Sequence, residues 1–447
     1  MKNIGLIAAL ALAASPLSST ASPERAPQVL AANVLAEEIL FAGPGLRGRG
    51  SATSDEAIAA GYVASFFRGF GLKPATGMTG FLQSAPLVRK QISGAPVLTV
   101  DGVAVPGVSV LMTSGGQVGG KVAILADASG AIPDADVLVY TGPADKFMLL
   151  RRAARGKTRL VIAAESDVTR RFLGMIGGKP SLRTTIEGTP PERGSLSLAT
   201  LPADALATIQ AGVAVTLDVP FTTEKATTTN AIGYLPGTDP KAGVILLTAH
   251  LDHLGVRPDG TVMPGANDDA SGTVAVIELA RAFAGMGRQK RGILFVAYGS
   301  EEIGGLGSTW FGENPPVPLT DLVANIEFEM IGAQDPKLPA GSLMMTGSER
   351  STLFEMMKAN GALIAADPYP DQHFFERSDN YSLALKGIVA HTFSGWAVVP
   401  TYHQPTDTVE NLDISYMTRA IQSLIVPIRS LASANIKPEW TSGGRPK

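Results

Sequence analysis

From about residue 222 onward, short runs of apolar residues alternate with longer stretches whose apolar positions recur every three or four residues. The runs at 244–248, 292–298 and 322–328 are apolar at nearly every position, the pattern of strands buried on both faces of a sheet. The stretches 271–284, 352–362 and 414–431 carry the helical period, and the runs at 342–346 and 388–393 read as further strands. Ser271 is placed to cap the first of these helices. This alternation predicts an α/β fold, with a mostly parallel central sheet and helices on both faces.

Upstream, residues 28–42 carry a helical period, and a glycine-rich break at 43–50 separates them from a second helix at 57–70. Ser54, Asp55 and Glu56 supply capping chemistry there. Between about 86 and 220 the texture changes. Short apolar runs at 97–100, 121–125, 136–140 and 159–163 are cut by Gly, Pro and Asp, with helices expected near 144–155 and 203–211. The chain therefore divides into an α/β unit, residues 22–85 and 221–447, and an inserted β-rich unit, residues 86–220. The insert has no histidine and only scattered charges, so it is expected to be structural.

The first 21 residues stand apart. Lys2, an apolar run at 4–14 and a small, polar stretch at 15–22 have the order of a secretory signal peptide. The expectation is a mature chain beginning near Ser22, exported to the periplasm or the extracellular space. No apolar run is long enough to span a bilayer. With a formal net charge of -3 and no run of like charge, nothing predicts a nucleic-acid partner. There is no cysteine, which excludes disulfides and thiolate metal sites, so any metal must be held by His, Asp and Glu.

All five histidines lie at or beyond position 250. The run 244–248 leads into Ala-His250-Leu-Asp252-His253, followed by Gly-Ala-Asn-Asp268-Asp-Ala-Ser-Gly. The run 292–298 leads into Ser-Glu301-Glu302, and 322–328 into Glu329-Met-Ile-Gly. Each polar group falls where a strand finishes, the edge at which ligands collect in open α/β sheets. Zinc takes imidazole nitrogen and carboxylate oxygen, and a pair of zincs needs about five ligands, one bridging, with a further carboxylate to accept a proton from water. The adjacent Glu301 and Glu302 suit that division, since neighbours on an extended chain point opposite ways. Taken singly, a glutamate pair also reads as a solvated face and a His–Asp pair as a buried hydrogen bond. Their shared order at successive strand ends is what points to metal chemistry. His253, His373 and His391 have no spacing that assigns them a role, and are expected to be structural or to sit behind the site.

In motif order and spacing, residues from about 225 to 435 resemble the co-catalytic zinc aminopeptidases of the M28 peptidase type. The resemblance implies two zinc ions per chain and peptide substrates. It implies His250 as a ligand of the first zinc, with Asp252 orienting its imidazole, and Asp268 as the bridging carboxylate. Glu301 matches the general base, and Glu302 and His403 match ligands of the second zinc. Tyr402, in Thr-Tyr402-His403-Gln-Pro-Thr-Asp-Thr, matches a donor to the developing oxyanion, and Arg377, in Arg377-Ser-Asp379, a contact to substrate. One position departs: the family usually has aspartate before Met-Ile-Gly, where this chain has Glu329. Glu329 is expected to complete the first zinc's shell through its longer arm. Residues 86–220 resemble, by composition, the protease-associated domain found in many of these peptidases. The same core also supports a single-zinc glutaminyl cyclase, which needs only Asp268, Glu302 and His403, and binding modules on inactive peptidase scaffolds.

Overall fold

A computed structural model of the chain describes residues 27–447 apart from 148–149, 151–155, 176–179, 181 and 191–195. The expected signal peptide, and most of the helix expected at 144–155, lie outside the described residues. Nine strands form one sheet, in the order Ile364–Ala366, Leu343–Met345, Ala390–Ser394, Leu322–Glu329, Val244–His250, Gly292–Tyr298, Phe221–Leu235, Leu82–Ile92, Thr185–Ile186. The four strands from Ala390–Ser394 to Gly292–Tyr298 run parallel. Beyond Gly292–Tyr298 the pairings turn antiparallel, as does the pairing of Leu343–Met345 with Ala390–Ser394. The sheet is thus mixed, and parallel in its centre rather than throughout.

The central strands bury both faces, as their apolar runs require. Ile245, Leu247 and Ala249 pack with helices Ser54–Gly69, Ser271–Met286 and Ile414–Ser433, while Val244 and Leu246 pack with Phe311, Leu383 and Ala384 of helices Leu306–Glu313 and Asn380–Leu385. Both faces are therefore covered, as expected. Ser271 does not cap its helix: it is the first helical residue, and its hydroxyl donates to the Asn267 carbonyl. Asp269 instead accepts the Gly272 amide three residues on.

Strands Leu82–Ile92 and Phe221–Leu235 pair along their length as an antiparallel ribbon whose outer half is largely exposed. The ribbon leads to a second, eight-stranded sheet with its own apolar cores. Four of its strands, Gly116–Leu125, Val137–Tyr140, Leu160–Ala164 and Ser197–Leu201, run parallel to one another. The strands expected at 97–100, 121–125, 136–140 and 159–163 all lie in this sheet, and the helix expected at 203–211 is Ala203–Ala207.

Two buried charged side chains tie the N-terminal segment to the site's edge of the main sheet. Glu56 does not stay at the helix surface as a capping residue. It turns inward and accepts from the amides of Ala52 and Thr229 and the hydroxyls of Thr228 and Ser300, while Thr53 caps the helix. Arg49 is fully buried and donates to the carbonyls of Phe41, Leu251, Pro264 and Gly265 at 2.6–2.8 Å. This clamp draws the chain so close that Gly48, at φ 70°, has no room for a Cβ, which would stand 2.1 Å from the Met263 carbonyl oxygen. Burial pushes the neighbouring Glu38 carboxyl well above its ordinary range, against the pull of Arg49.

Arg49→Met leaves four buried carbonyls without their donor, and should cost about 3–5 kcal/mol, the scale of several lost hydrogen bonds from a charged group. Glu38→Gln, replacing a protonated carboxyl by an amide of the same shape, should stay within about 1 kcal/mol. Urea midpoints of the two variants check this; equal midpoints would remove Arg49's role as the clamp.

Candidate metal centre

The predicted ligands meet at the carboxyl edge of the parallel strands. His250 ends strand Val244–His250, Glu329 ends Leu322–Glu329, and Glu301 and Glu302 follow Gly292–Tyr298. Asp268 comes from the loop before helix Ser271–Met286, and His403 from the loop after Ala390–Ser394. Asp268 lies between two groups. On one side its Oδ1 is 3.3 Å from His250 Nε2. On the other its Oδ2 is 3.1 Å from His403 Nε2, which is also 3.1 Å from Glu302 Oε2. His250, Asp268 and Glu329 can each place one ligand atom within 4.8 Å of the others, and so can His253, Asp268, Glu302 and His403.

The donors suit a metal ion. His250 Nε2 and His253 Nε2 are buried and make no hydrogen bond. Buried polar atoms without partners are costly, and His250 Nε2 lies 3.3 Å from the Asp268 carboxylate. Imidazole nitrogens with carboxylate oxygens, and no thiolate, form the donor set of a zinc site.

The surrounding residues hold these donors by main-chain hydrogen bonds. Asp252 was expected to orient His250, and His250 Nδ1 does lie 3.2 Å from the Asp252 carbonyl and 3.7 Å from its carboxylate. The carboxylate has a second task. It accepts the amides of Glu301 at 2.9 Å and Glu302 at 3.3 Å, and the Ser51 hydroxyl at 2.5 Å. Asp252 therefore fixes the turn that carries both glutamates, at whose start Ser300 takes φ 56°. Asp269, joined to Asp268 by a cis peptide, accepts the amides of His250, Gly272 and Met330. Asp407 accepts those of Asn267 and Asp268. Neither aspartate was singled out from sequence, although both stand inside the quoted motifs.

Charge follows from this crowding. Burial raises the Glu301 carboxyl well above its usual range, and Asp379, Glu329 and Glu302 add to this against the pull of His250. Burial would raise Asp268 too, but the facing imidazoles of His250 and His403 outweigh it and hold this carboxylate low. Burial pulls His403 down, yet its contacts with Asp268 and Glu302 carry it up to about 10. Tyr402 stacks on His403 with ring centroids 3.9 Å apart. Burial and the surrounding carboxylates keep its hydroxyl protonated and able to donate. Arg377 lies over the Phe374 ring and, with Glu329 and Tyr402, lines a small cavity beside the cluster.

The remaining histidines differ. His253, expected to be structural or behind the site, puts Nδ1 2.7 Å from Glu302 Oε1 and 3.8 Å from Asp268 Oδ2, so it stands in the second group itself. Its place one residue after His-x-Asp was the available signal. His391 is buried, donating to the Thr346 carbonyl and accepting from the Ser351 hydroxyl. Burial lowers it to about 4, the state of a neutral structural imidazole. His373 is exposed.

Residues 230–426 match the model of peptidase family M28. Among curated proteins, leupeptin-inactivating enzyme 1 of Streptomyces exfoliatus is 35% identical over 128 residues, 28% of this chain and 27% of that one. Aminopeptidase YwaD of Bacillus subtilis is 25% identical over 203 residues, 44% and 43% of the two chains. Leucine aminopeptidase 2 of Trichophyton rubrum is 27% identical over 303 residues, 61% and 58%. These alignments span 27% to 58% of the length of the relatives. The fold is shared with an aminopeptidase from Aneurinibacillus sp. strain AM-1, at a TM-score of 0.59 and 17% identity over 91% of this chain and 95% of that one. It is shared also with a zinc aminopeptidase from Bacillus subtilis, at a TM-score of 0.55 and 18% identity over 92% and 97%. The stretch that matches the peptidase family M28 model, residues 230–426, contains every residue from His250 to His403.

Proposed function

We propose that the chain is a zinc-dependent aminopeptidase. The observation that carries this reading is the pair of donor groups sharing Asp268 at the edge of the sheet, with Glu301 held beside them on the Asp252-bound turn. In support, relatives and fold neighbours bear the name aminopeptidase, and one neighbour is described as a zinc enzyme. His250, Asp268 and Glu329 would hold one ion, and Asp268, Glu302 and His403 the other, with His253 bracing or joining the second set. Zinc bound here would act as a Lewis acid toward the scissile carbonyl and make water a better proton donor. Glu301 accepts that proton and returns it to the leaving amine. Tyr402 donates to the carbonyl oxygen as charge develops on it, and Arg377 contacts the substrate. The group of His250, Asp268 and Glu329 favours two ions over the single-ion, cyclase-like alternative.

We further infer that the second sheet is an inserted, protease-associated-like domain that governs access to the site. In support, Leu87 and Ile186, on main-sheet strands whose chain continues into the second sheet, pack with Ala52, Leu306 and Ile303, beside Ser51 and the Glu301–Glu302 turn. The first 21 residues are read as a signal peptide directing export. No helix among the described residues is long and apolar enough to cross a membrane.

Glu301→Gln should lower turnover of aminoacyl anilides by about 10²–10⁴ while zinc content per chain stays unchanged. Turnover close to wild type would reject Glu301 as the base. The longer arm of Glu329 makes its ion the more weakly held, so graded chelation of the wild type should remove one zinc well before the other. Glu329→Gln should then retain about one zinc per chain under mild chelation, measured by elemental analysis. Two tightly held zincs in that variant would exclude Glu329 from the shell.

A further inference from the structure

Beside Glu329 the structure holds a cavity of ≈ 40 Å³. Its interior is formed by side chains that are buried and packed: Met330, Met344, Thr346, Phe374, Thr392 and Ser394. Its mouth is formed by the less buried Glu329, Arg377 and Tyr402, so it opens toward the metal centre. Ser394 is paired in register with Glu329 on one side and with Met344 on the other, which puts the three side chains on one face of the sheet. The Ser394 hydroxyl is buried and has no hydrogen-bond partner. By contrast, the Thr392 hydroxyl is committed to Asn380, and the Thr346 hydroxyl accepts the Thr392 amide.

Volume sets the first limit on what can enter. One water needs roughly 10–15 Å³ by this measure, and an aromatic ring needs on the order of 150 Å³. The cavity therefore takes a group of one to a few heavy atoms, and the four carbons of a leucine side chain overfill it. The walls do not yield cheaply, because Met344 is fully buried and packs in one apolar cluster with Leu338 and Phe374. Chemistry sets the second limit. A buried, unpartnered hydroxyl favours an occupant that can hydrogen-bond to it.

We infer that this cavity is the specificity pocket, and that the enzyme releases small N-terminal residues, alanine and above all serine, in preference to leucine or phenylalanine. The inference rests on the aminopeptidase reading, but it differs from the substrate that the names of the Trichophyton relatives suggest. Met344 and Phe374 close the pocket to larger side chains, and Ser394 distinguishes a hydroxymethyl from a methyl group.

The test is a panel of p-nitroanilides of serine, alanine, leucine and phenylalanine with the zinc-loaded protein, beside N-blocked controls. Values of kcat/KM for serine and alanine should exceed that for leucine by about tenfold or more, the scale set by excess methylenes in a fixed pocket. Met344→Ala should shift the leucine-to-alanine ratio about tenfold toward leucine. Ser394→Ala should reduce the serine-to-alanine ratio several-fold, about the worth of one hydrogen bond. Should Met344→Ala fail to fold, calorimetry on Glu301→Gln supplies an unaltered pocket without turnover: a serine-leading dipeptide should bind more tightly than a leucine-leading one. Preference for leucine or phenylalanine among cleaved free-amine substrates, or tighter binding of the leucine dipeptide, would overturn the inference and leave the aminopeptidase reading standing. Cleavage of N-blocked substrates alone would overturn both.

Discussion

The constraint on which this structure depends is the crowding of carboxylates at one edge of a buried sheet. Asp252, Asp268 and Asp269 are all buried, and Glu301, Glu302 and Glu329 close around them. Burial raises the carboxyls of Asp269, Glu301 and Glu329, and takes Asp379 up to about 7. Such a concentration of charge is tolerable only where donors or cations meet it. The fold supplies donors in two ways. Asp252, Asp269 and Asp407 are met by main-chain amides, which also fixes the loops that carry the ligands. His250 and His403 meet Asp268. His250 Nε2, His253 Nε2 and Asp268 Oδ2 stay without a hydrogen bond, and His250 Nε2 faces the Asp268 carboxylate where a metal ion would sit.

This division of labour explains why the N-terminal segment matters to a site that lies far along the chain. Arg49 binds the carbonyls on either side of the gap, Leu251 beside His250 and Gly265 ahead of Asp268. Glu56 holds Ser300, the residue before Glu301. Ser51 reaches Asp252 itself. Three residues within one short stretch thus set the spacing of the proposed ligands and base, while the strands set their direction. The strands that lead into the second sheet pack at the same place, Leu87 and Ile186 lying with Ala52 and Ile303.

Much of this was legible in the sequence. The fully apolar runs located the central strands, because a strand buried on both faces has no polar alternation to confuse it. Strand Gly292–Tyr298 has the bounds expected, and Val244–His250 runs two residues further, to its ligand. That His250, Asp268, Glu302, Glu329 and His403 would come together was legible because strand ends and His-x-Asp spacing survive without tertiary information. The ribbon Leu82–Ile92 with Phe221–Leu235 was not. Its outer half is polar and half-exposed, so no hydrophobic period marks it, and its absence made the sheet look more parallel than it is. Glu56 and Ser271 were read as capping residues because their local sequence allows it; tertiary partners claimed Glu56, and the Ser271 hydroxyl donates to the Asn267 carbonyl and accepts from the Ile331 amide. His253 was passed over because its contact with Glu302 joins residues on two different strand ends, a pairing that local spacing does not encode.

On the proposed reading, Asp268 would be shared by two zinc ions, one held with His250 and Glu329 and the other with Glu302 and His403. Anomalous diffraction from zinc-loaded crystals, recorded on both sides of the zinc absorption edge, tests it most directly. The account predicts two peaks flanking the Asp268 carboxylate, roughly 3.5–4 Å apart. A single peak beside Glu302 and His403, with none near His250 and Glu329, would contradict it.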